Sequence, residues 1–265
     1  MIEKTFNTGT VNLNYVETSP GGTPLLLLHG YALRWQSLAK LIPDLEEDYH
    51  VYALDLRGRG KSDRSDSYRM QDYMTDIAAF IENCIKEPAI LFGHSLGGMI
   101  SVMVAANYPG HVKGIILGDS VLSQEFLKQF SEGHKDVTAF WRQLANTESI
   151  ETITTELKNQ LMPVPGRQEL IPAYQVMGED NPFFDFMATT LSQMDPKVLT
   201  ADIDHFDETF SEYRTEELFP KIQCPVLLMQ GDPELGGLMR DEDVKFAMSL
   251  LPKGNHINST FPLEN

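Results

Sequence analysis

Residues 89–101 read Ala-Ile-Leu-Phe-Gly93-His94-Ser95-Leu96-Gly97-Gly98-Met-Ile-Ser, and a serine with glycine two residues away on either side is the arrangement that presents a nucleophilic hydroxyl. The apolar run before Gly93 predicts a strand, and the small, apolar residues after Ser95 predict a helix. The turn between them must be sharp, with the serine held in a strained backbone conformation, and only glycines let the flanking chains pack that closely. Such a turn lifts Oγ of Ser95 above the sheet edge. The amide of Leu96, at the N-terminus of the new helix, can then face negative charge developing on a substrate oxygen. The bland reading is a tight glycine turn with a bystander serine, and the flanking strand and helix weigh against it.

A nucleophile placed this way needs a sheet beneath it. Thr10 to Thr18, with Val11, Leu13 and Tyr15 alternating, predicts an antiparallel edge strand. After the turn Ser19-Pro20-Gly21-Gly22, the run from Pro24 to Leu28 leads into His29-Gly30 as a strand buried on both faces. Helical spacing from Ser37 to Glu47 puts Leu38, Leu41, Ile42 and Leu45 on one face, and a strand follows from His50 to Asp55. A helix over about Met70 to Ile85 leads into the elbow strand, the helix after Ser95 is apolar nearly all round, and Val112 to Leu117 is another strand. This alternation predicts a parallel sheet covered on both faces.

From Ser120 to about Phe219 the alternation stops. Helices are expected at Gln124–Phe130, Val137–Leu144, Ile150–Leu161 and Asn181–Met194, with no convincing strand, before Pro225-Val-Leu-Leu-Met-Gln230-Gly231 resumes the sheet. The expected fold class is therefore α/β: a mostly parallel, doubly wound sheet with a helical cap inserted between two core strands. Its parts are a first core segment 1–119, the cap 120–219 and a second core segment 220–265. Phe140, Trp141, Met177, Phe183, Phe184, Phe186, Met187, Met194, Phe206 and Phe210 suit an apolar acyl pocket, or else form the core of the cap itself.

Composition narrows the partners. The 265 residues carry 38 acidic and 21 basic side chains, a formal charge of −17, which repels nucleic acid and anionic membrane. The N-terminus has no apolar signal region, and no stretch reaches the ~18 apolar residues of a spanning helix. A soluble, cytoplasmic protein with no nucleic-acid or membrane partner is expected. Its two cysteines, Cys84 and Cys224, read as buried thiols, and no histidine pair has metal-ligand spacing, so neither metal nor cofactor is expected.

With these residues in place, the chain resembles the α/β-hydrolase family, in its capped, serine-nucleophile branch, over essentially its whole length. Four landmarks fall in family order: Leu28-His29-Gly30-Tyr31, Asp55-x-Arg57-Gly58-x-Gly60-x-Ser62, Gly93-His94-Ser95-Leu96-Gly97-Gly98, and Pro225-Val-Leu-Leu-Met-Gln-Gly231-Asp232. The resemblance implies a second oxyanion donor in the backbone amide of Tyr31 or its neighbour Ala32, with His29 as a turn residue. It implies a structural Asp55–Ser62 loop in which Arg57 pairs locally. A serine at the elbow excludes the haloalkane dehalogenase and epoxide hydrolase branches, which need an aspartate there.

The resemblance also implies a triad in the order serine, acid, histidine. The family position of the acid, three residues past Gly231, selects Glu234, with Asp232 as the alternative and Asp119 third. For the histidine, one reading takes His256 as the base. The other takes Ser259 to Glu264 as the last strand, with the family's Gly-His and closing helix missing from a truncated C-terminus, and this second reading is preferred. The expected activity is a cofactor-free serine hydrolase of carboxylic esters or related small, apolar acyl substrates. Alternatives on the same machinery are C–C bond hydrolysis and perhydrolysis, and a rival from another class is a non-catalytic ligand-binding protein. Oligomeric state and substrate identity stay open.

Overall fold

A computed structural model describes residues 1–147, 149–164, 169–233 and 236–258. Strands β1 (Ile2–Asn7), β2 (Asn12–Glu17), β3 (Thr23–Leu28) and β4 (Tyr49–Leu54) come first, with the single-turn helix α1 (Ile42–Leu45) between the last two. Then come α2 (Met70–Phe80), β5 (Ala89–His94), α3 (Leu96–Asn107) and β6 (Val112–Gly118). The sheet runs in the order β1-β2-β4-β3-β5-β6 and continues into β9 (Val226–Gln230) and β10 (Gly254–Asn258), with helix α12 (Asp241–Leu250) joining these two. In this sheet β1 pairs antiparallel with β2, and β2 antiparallel with β4; the other described pairings are parallel.

Period-two alternation sorts the strand residues into two layers. Leu26, Leu28, Tyr52, Leu54 and Leu91 face the large core beneath α2 and α3, while Leu25, Leu27, Val51 and Ala53 face a smaller cluster with Leu38 and Ile42. Helix α3 is buried along nearly its whole length, which explains its lack of a polar face.

The chain departs from the sequence reading at four places. The Thr10–Thr18 strand is not an edge, because β1 pairs with β2 residue for residue from Ile2 opposite Glu17 to Asn7 opposite Asn12. The expected Ser37–Glu47 helix is a 3-10 stretch, Trp35–Leu41, followed by α1 with Pro43 in its first turn, where the missing N–H breaks a continuous ladder. The last described strand is β10, which lies N-terminal to the expected strand at 259–264; those residues fall outside the described ones. Finally, the segment between β6 and β9 does contain a short ladder.

That segment holds α4 (Gln124–Gly133), α5 (Lys135–Ala145), α6 (Ile150–Asn159), the two-residue strands β7 (Leu161–Met162) and β8 (Ile171–Pro172), and α7 (Ala173–Met177). It continues with α8 (Pro182–Ser192), α9 (Pro196–Asp204), α10 (Phe206–Phe210) and α11 (Thr215–Leu218). Side-chain caps start α4, α6, α8 and α9 through Ser123, Ser149, Asn181 and Asp195. The block is tied to the loop after β4: Asp195 N–H donates to the Gly58 carbonyl at 2.8 Å, and Tyr68 Oη donates to the Asp195 carboxylate at 2.7 Å. Among the described residues no helix is long and apolar enough to cross a membrane.

The loop after β4 is itself built on buried charge. Asp55 accepts from Asn14 Nδ2, Trp35 N–H and Lys61 N–H at 2.9, 2.9 and 3.0 Å. Arg57 meets Asp76 of α2 in a two-pronged pair, Nε to Oδ2 at 2.7 Å and Nη2 to Oδ1 at 2.8 Å. Both side chains are about 5 % exposed or less. Removing one member leaves the other charged, buried and unpaired, so Asp76→Leu is expected to destabilise the protein by about 3–5 kcal/mol, whereas Arg57→Met/Asp76→Leu recovers most of that loss. Urea titrations of the two variants check this, and equal losses would show that packing, not charge, sets the effect.

Candidate active site

Ser95 has φ 50° and ψ −115°, a left-handed backbone that an L residue adopts only under strain. Three glycines leave no alternative path around it. A Cβ on Gly93 would lie 2.3 Å from the backbone of Gly97, one on Gly97 would lie 2.2 Å from the Leu28 carbonyl oxygen, and one on Gly98 would meet Ser120 Oγ at 1.7 Å. The Ser95 N–H donates to the Gly118 carbonyl at 3.1 Å, which fastens the elbow to β6. Leu96 opens α3, so its N–H has no acceptor inside its own helix and stands at the positive end of the helix dipole.

The loop after β3 stands beside this elbow, since Leu28 pairs with Gly93. His29 is fully buried; its Nε2 accepts from Leu56 N–H at 3.1 Å, which leaves the proton on Nδ1 for donation to the Gly30 carbonyl at 2.7 Å. Burial first, and the nearby Arg59 charge second, pull its pKa down to about 3. His29 is thus a neutral clamp on the turn, the role the resemblance implies. The amides of Tyr31 and Ala32 make no hydrogen bond among the described residues, although Ala32 is buried. Gly30 also packs against His94, whose own pKa is lowered by burial.

On the other side of the elbow, Asp119 directly follows β6 with φ 43° and is 3 % exposed. Its carboxylate accepts three backbone amides: Oδ1 from Gly231 at 3.1 Å and Met239 at 3.1 Å, and Oδ2 from Leu238 at 2.8 Å. It therefore pins both ends of the loop that follows β9. Asp232, the alternative acid, opens this loop half-buried, its carbonyl accepting from Gly237 N–H at 2.9 Å. Glu234, the acid selected from the sequence, lies outside the described residues.

His256 is not brought to Ser95. It lies on β10 opposite Leu228, which lies opposite Leu117, which lies opposite Gly93. Three interstrand spacings, about 14 Å, separate it from the elbow strand, more than a histidine and a serine side chain bridge together. Its Nε2 instead donates to Gln230 Oε1 at 2.8 Å. That amide is oriented by its own Nε2, which donates to the Met239 carbonyl at 2.9 Å and to Asp241 Oδ1 at 2.8 Å. The sequence reading missed this anchor, signalled only by one polar residue closing the apolar run of β9.

Of the side chains proposed for an acyl pocket, Phe184, Met187, Met194 and Phe210 are buried in the core. Phe186 is half-buried beneath the guanidinium of Arg34, 5.0 Å from its ring centre. Two surface clefts of about 370 and 310 Å³ gather residues of α10, α11 and their neighbours and do not include Ser95.

The comparisons with known proteins agree with this architecture. A family model described as alpha/beta hydrolase fold matches residues 23–239. Mouse epoxide hydrolase 4 is 34 % identical over 111 residues, 40 % of this chain and 31 % of its own length. The 2-(acetamidomethylene)succinate hydrolase of Mesorhizobium japonicum is 36 % identical over 120 residues, 44 % of this chain and 42 % of its own. The match thus spans less than half the length of either curated relative. A solved structure from a study of carboxylesterases of the Thaumarchaeon Nitrososphaera gargenis superposes with a TM-score of 0.71 at 20 % identity, over 97 % of this chain and 89 % of its own.

Two outcomes are expected from this geometry. His256→Ala should leave the rate of fluorophosphonate labelling at Ser95 within about twofold of the wild type; a collapse would mean that β10 leaves its register with β9. For His29, the folded protein keeps the imidazole neutral while the unfolded chain protonates it below its ordinary pKa near 6.5, so its contribution is complete above that value. It is lost as pH falls toward 3, at up to about 1.4 kcal/mol per pH unit. The stability difference between wild type and His29→Asn should therefore shrink between about pH 7 and pH 5; a flat difference in urea titrations would contradict the neutral clamp.

Proposed function

Because the chain belongs to the alpha/beta hydrolase fold family, we propose that this hydrolase cleaves a carboxylic ester or related acyl compound through an acyl-enzyme on Ser95. The observation that carries this reading is the strained backbone of Ser95, φ 50°, at the start of α3. Strain of that kind persists where the fold over-determines it, and here it displays a hydroxyl beside amides that are unpaired among the described residues. Ser95 Oγ attacks the acyl carbon, and the carbonyl oxygen gathers charge opposite the amides of Leu96 and of Tyr31 or Ala32. Collapse of the tetrahedral intermediate expels the alcohol, which takes up a proton. Water then attacks the acyl-enzyme and returns Ser95 to its hydroxyl form.

The proton of Oγ needs an acceptor. His29 is committed to Gly30 and Leu56, and His256 to Gln230. On this reading an imidazole takes that proton, supplied with the protein or added to it, and Asp232 or Glu234 is the carboxylate that would orient it. A carboxyl-ester intermediate with an alkyl group would need a carboxylate at position 95, which holds a serine. The helical block between β6 and β9 serves as the cap, with Tyr31, Arg34 and Phe186 at the seam between block and core.

Activated esters with acyl chains of graded length, assayed on wild type and Ser95→Ala, test the reading. The expected result is hydrolysis and fluorophosphonate labelling that vanish in Ser95→Ala and rise with added imidazole. Labelling that is fast and insensitive to imidazole would place a working base within the chain. Saturable ligand binding without product or adduct would instead favour the non-catalytic reading, and turnover restricted to diketones or peroxide would favour the two other chemistries.

A further inference from the structure

Arg59 is the bulkiest of the fully buried side chains, 1 % exposed, and among the described residues no carboxylate forms an ion pair with it. A guanidinium withdrawn from water must spend its donors on other acceptors. Nη1 donates to the Tyr73 hydroxyl at 2.8 Å and to the Arg57 carbonyl at 3.2 Å, with the Tyr31 and Tyr73 rings 5.6 and 5.2 Å from its central carbon. Nε donates to the carbonyl of Tyr31.

That last bond has a directional consequence. Across a trans peptide the C=O of one residue and the N–H of the next point in opposite directions. His29 holds the Gly30 carbonyl, which turns the Tyr31 N–H the other way; Arg59 holds the Tyr31 carbonyl, which turns the Ala32 N–H away from the guanidinium. Two successive peptides are thus clamped by their oxygens, with both amides left without a partner among the described residues in the loop beside Ser95.

We propose that Arg59 is a positioning residue of the oxyanion site: it fixes the Tyr31–Ala32 peptide and, as a buried charge on its oxygen, polarises the Ala32 N–H toward a developing oxyanion. A charged donor strengthens the bond at the far end of the same peptide, as along any hydrogen-bonded chain. Among the described residues Arg59 makes no hydrogen bond to Ser95, and its effect runs through the Tyr31–Ala32 peptide. The proposal selects Ala32 as the donor that Arg59 tunes, and it rests on the serine-hydrolase reading above.

Arg59→Gln and Arg59→Lys separate this role from a merely structural one. The expected result for Arg59→Gln is an acylation rate lowered by about 10- to 100-fold, less than the loss of a whole oxyanion donor, with KM nearly unchanged. The affinity for a boronic acid that adds to Ser95 should fall by the same factor, with Arg59→Lys intermediate in both. Thermal melts confirm which variants are folded, and if Arg59→Gln does not fold, Arg59→Lys carries the comparison. A folded variant whose acylation rate and boronate affinity match the wild type overturns the proposal. Loss of both through KM alone also overturns it. Absence of any Ser95 adduct in the wild type would instead defeat the serine-hydrolase reading itself.

Discussion

Helix α3 approaches the sheet more closely than a methyl group allows, and the rest of the molecule is arranged around that approach. Gly93, Gly97 and Gly98 together bring the helix start against the ends of β3 and β5 and against Ser120. Space is missing on three sides at once, so the chain has one way through, and Ser95 takes the left-handed conformation that this path demands. The strain is held by burial of α3 along its length, where apolar contacts far outweigh the ~1–3 kcal/mol of one unfavourable backbone conformation. The turn at Ser95 is in that sense held by the packing beneath it.

Around the elbow, loops are fixed by buried charges that grip backbone. Asp55 gathers amides from two loops and the side chain of Asn14, Asp119 gathers three amides from the loop after β9, and Arg59 gathers carbonyls from the loops after β3 and β4. Each has more than one target, so each sets distances between separate stretches of chain. Charge-assisted bonds are shorter and stronger than neutral ones, and they suit loops that have no ladder of their own. Helices and strands set the course of the chain, and these side chains fix where the loops between them lie.

The elbow, the parallel run of central strands and the long helical block were legible from residue types and spacing because each rests on local pattern. Apolar runs of five or six residues mark buried strands, and Gly-x-Ser-x-Gly marks the only turn that such a strand and helix can share. β1 was not legible: Ile2 to Asn7 is mostly exposed, and what recruits it is the open edge of β2 rather than any period of its own. The 3-10 stretch at Trp35–Leu41 shows helical spacing without a helix, because apolar period reports a buried face and not the ladder behind it. Asp119 stood third among acids by position, and its three amide partners belong to residues more than a hundred positions away. Arg59 was visible only as a second arginine in Arg57-Gly-Arg59-Gly. For His256 the sequence left two readings, and the register of β10 with β9 decides against its reaching Ser95.

The insertion of the helical block between β6 and β9 sets an order of events for the folding chain. Strands β3 to β6 are neighbours in sequence as well as in the sheet, apart from the turn back at β4, and can assemble through connections of ordinary length. β9 must find β6 across roughly a hundred residues. The entropy of closing so long a loop grows only logarithmically with its length, about 0.6 kcal/mol per doubling, so the finished sheet loses little stability by it. The search is another matter, since distant pairings slow folding far more than they weaken the product. Until β9 arrives, the edge of β6 lies open and the carboxylate of Asp119 lacks its amides. The turn that carries Ser95 can therefore be shaped early, while the loop after β9 is fixed late, with the last strands to dock.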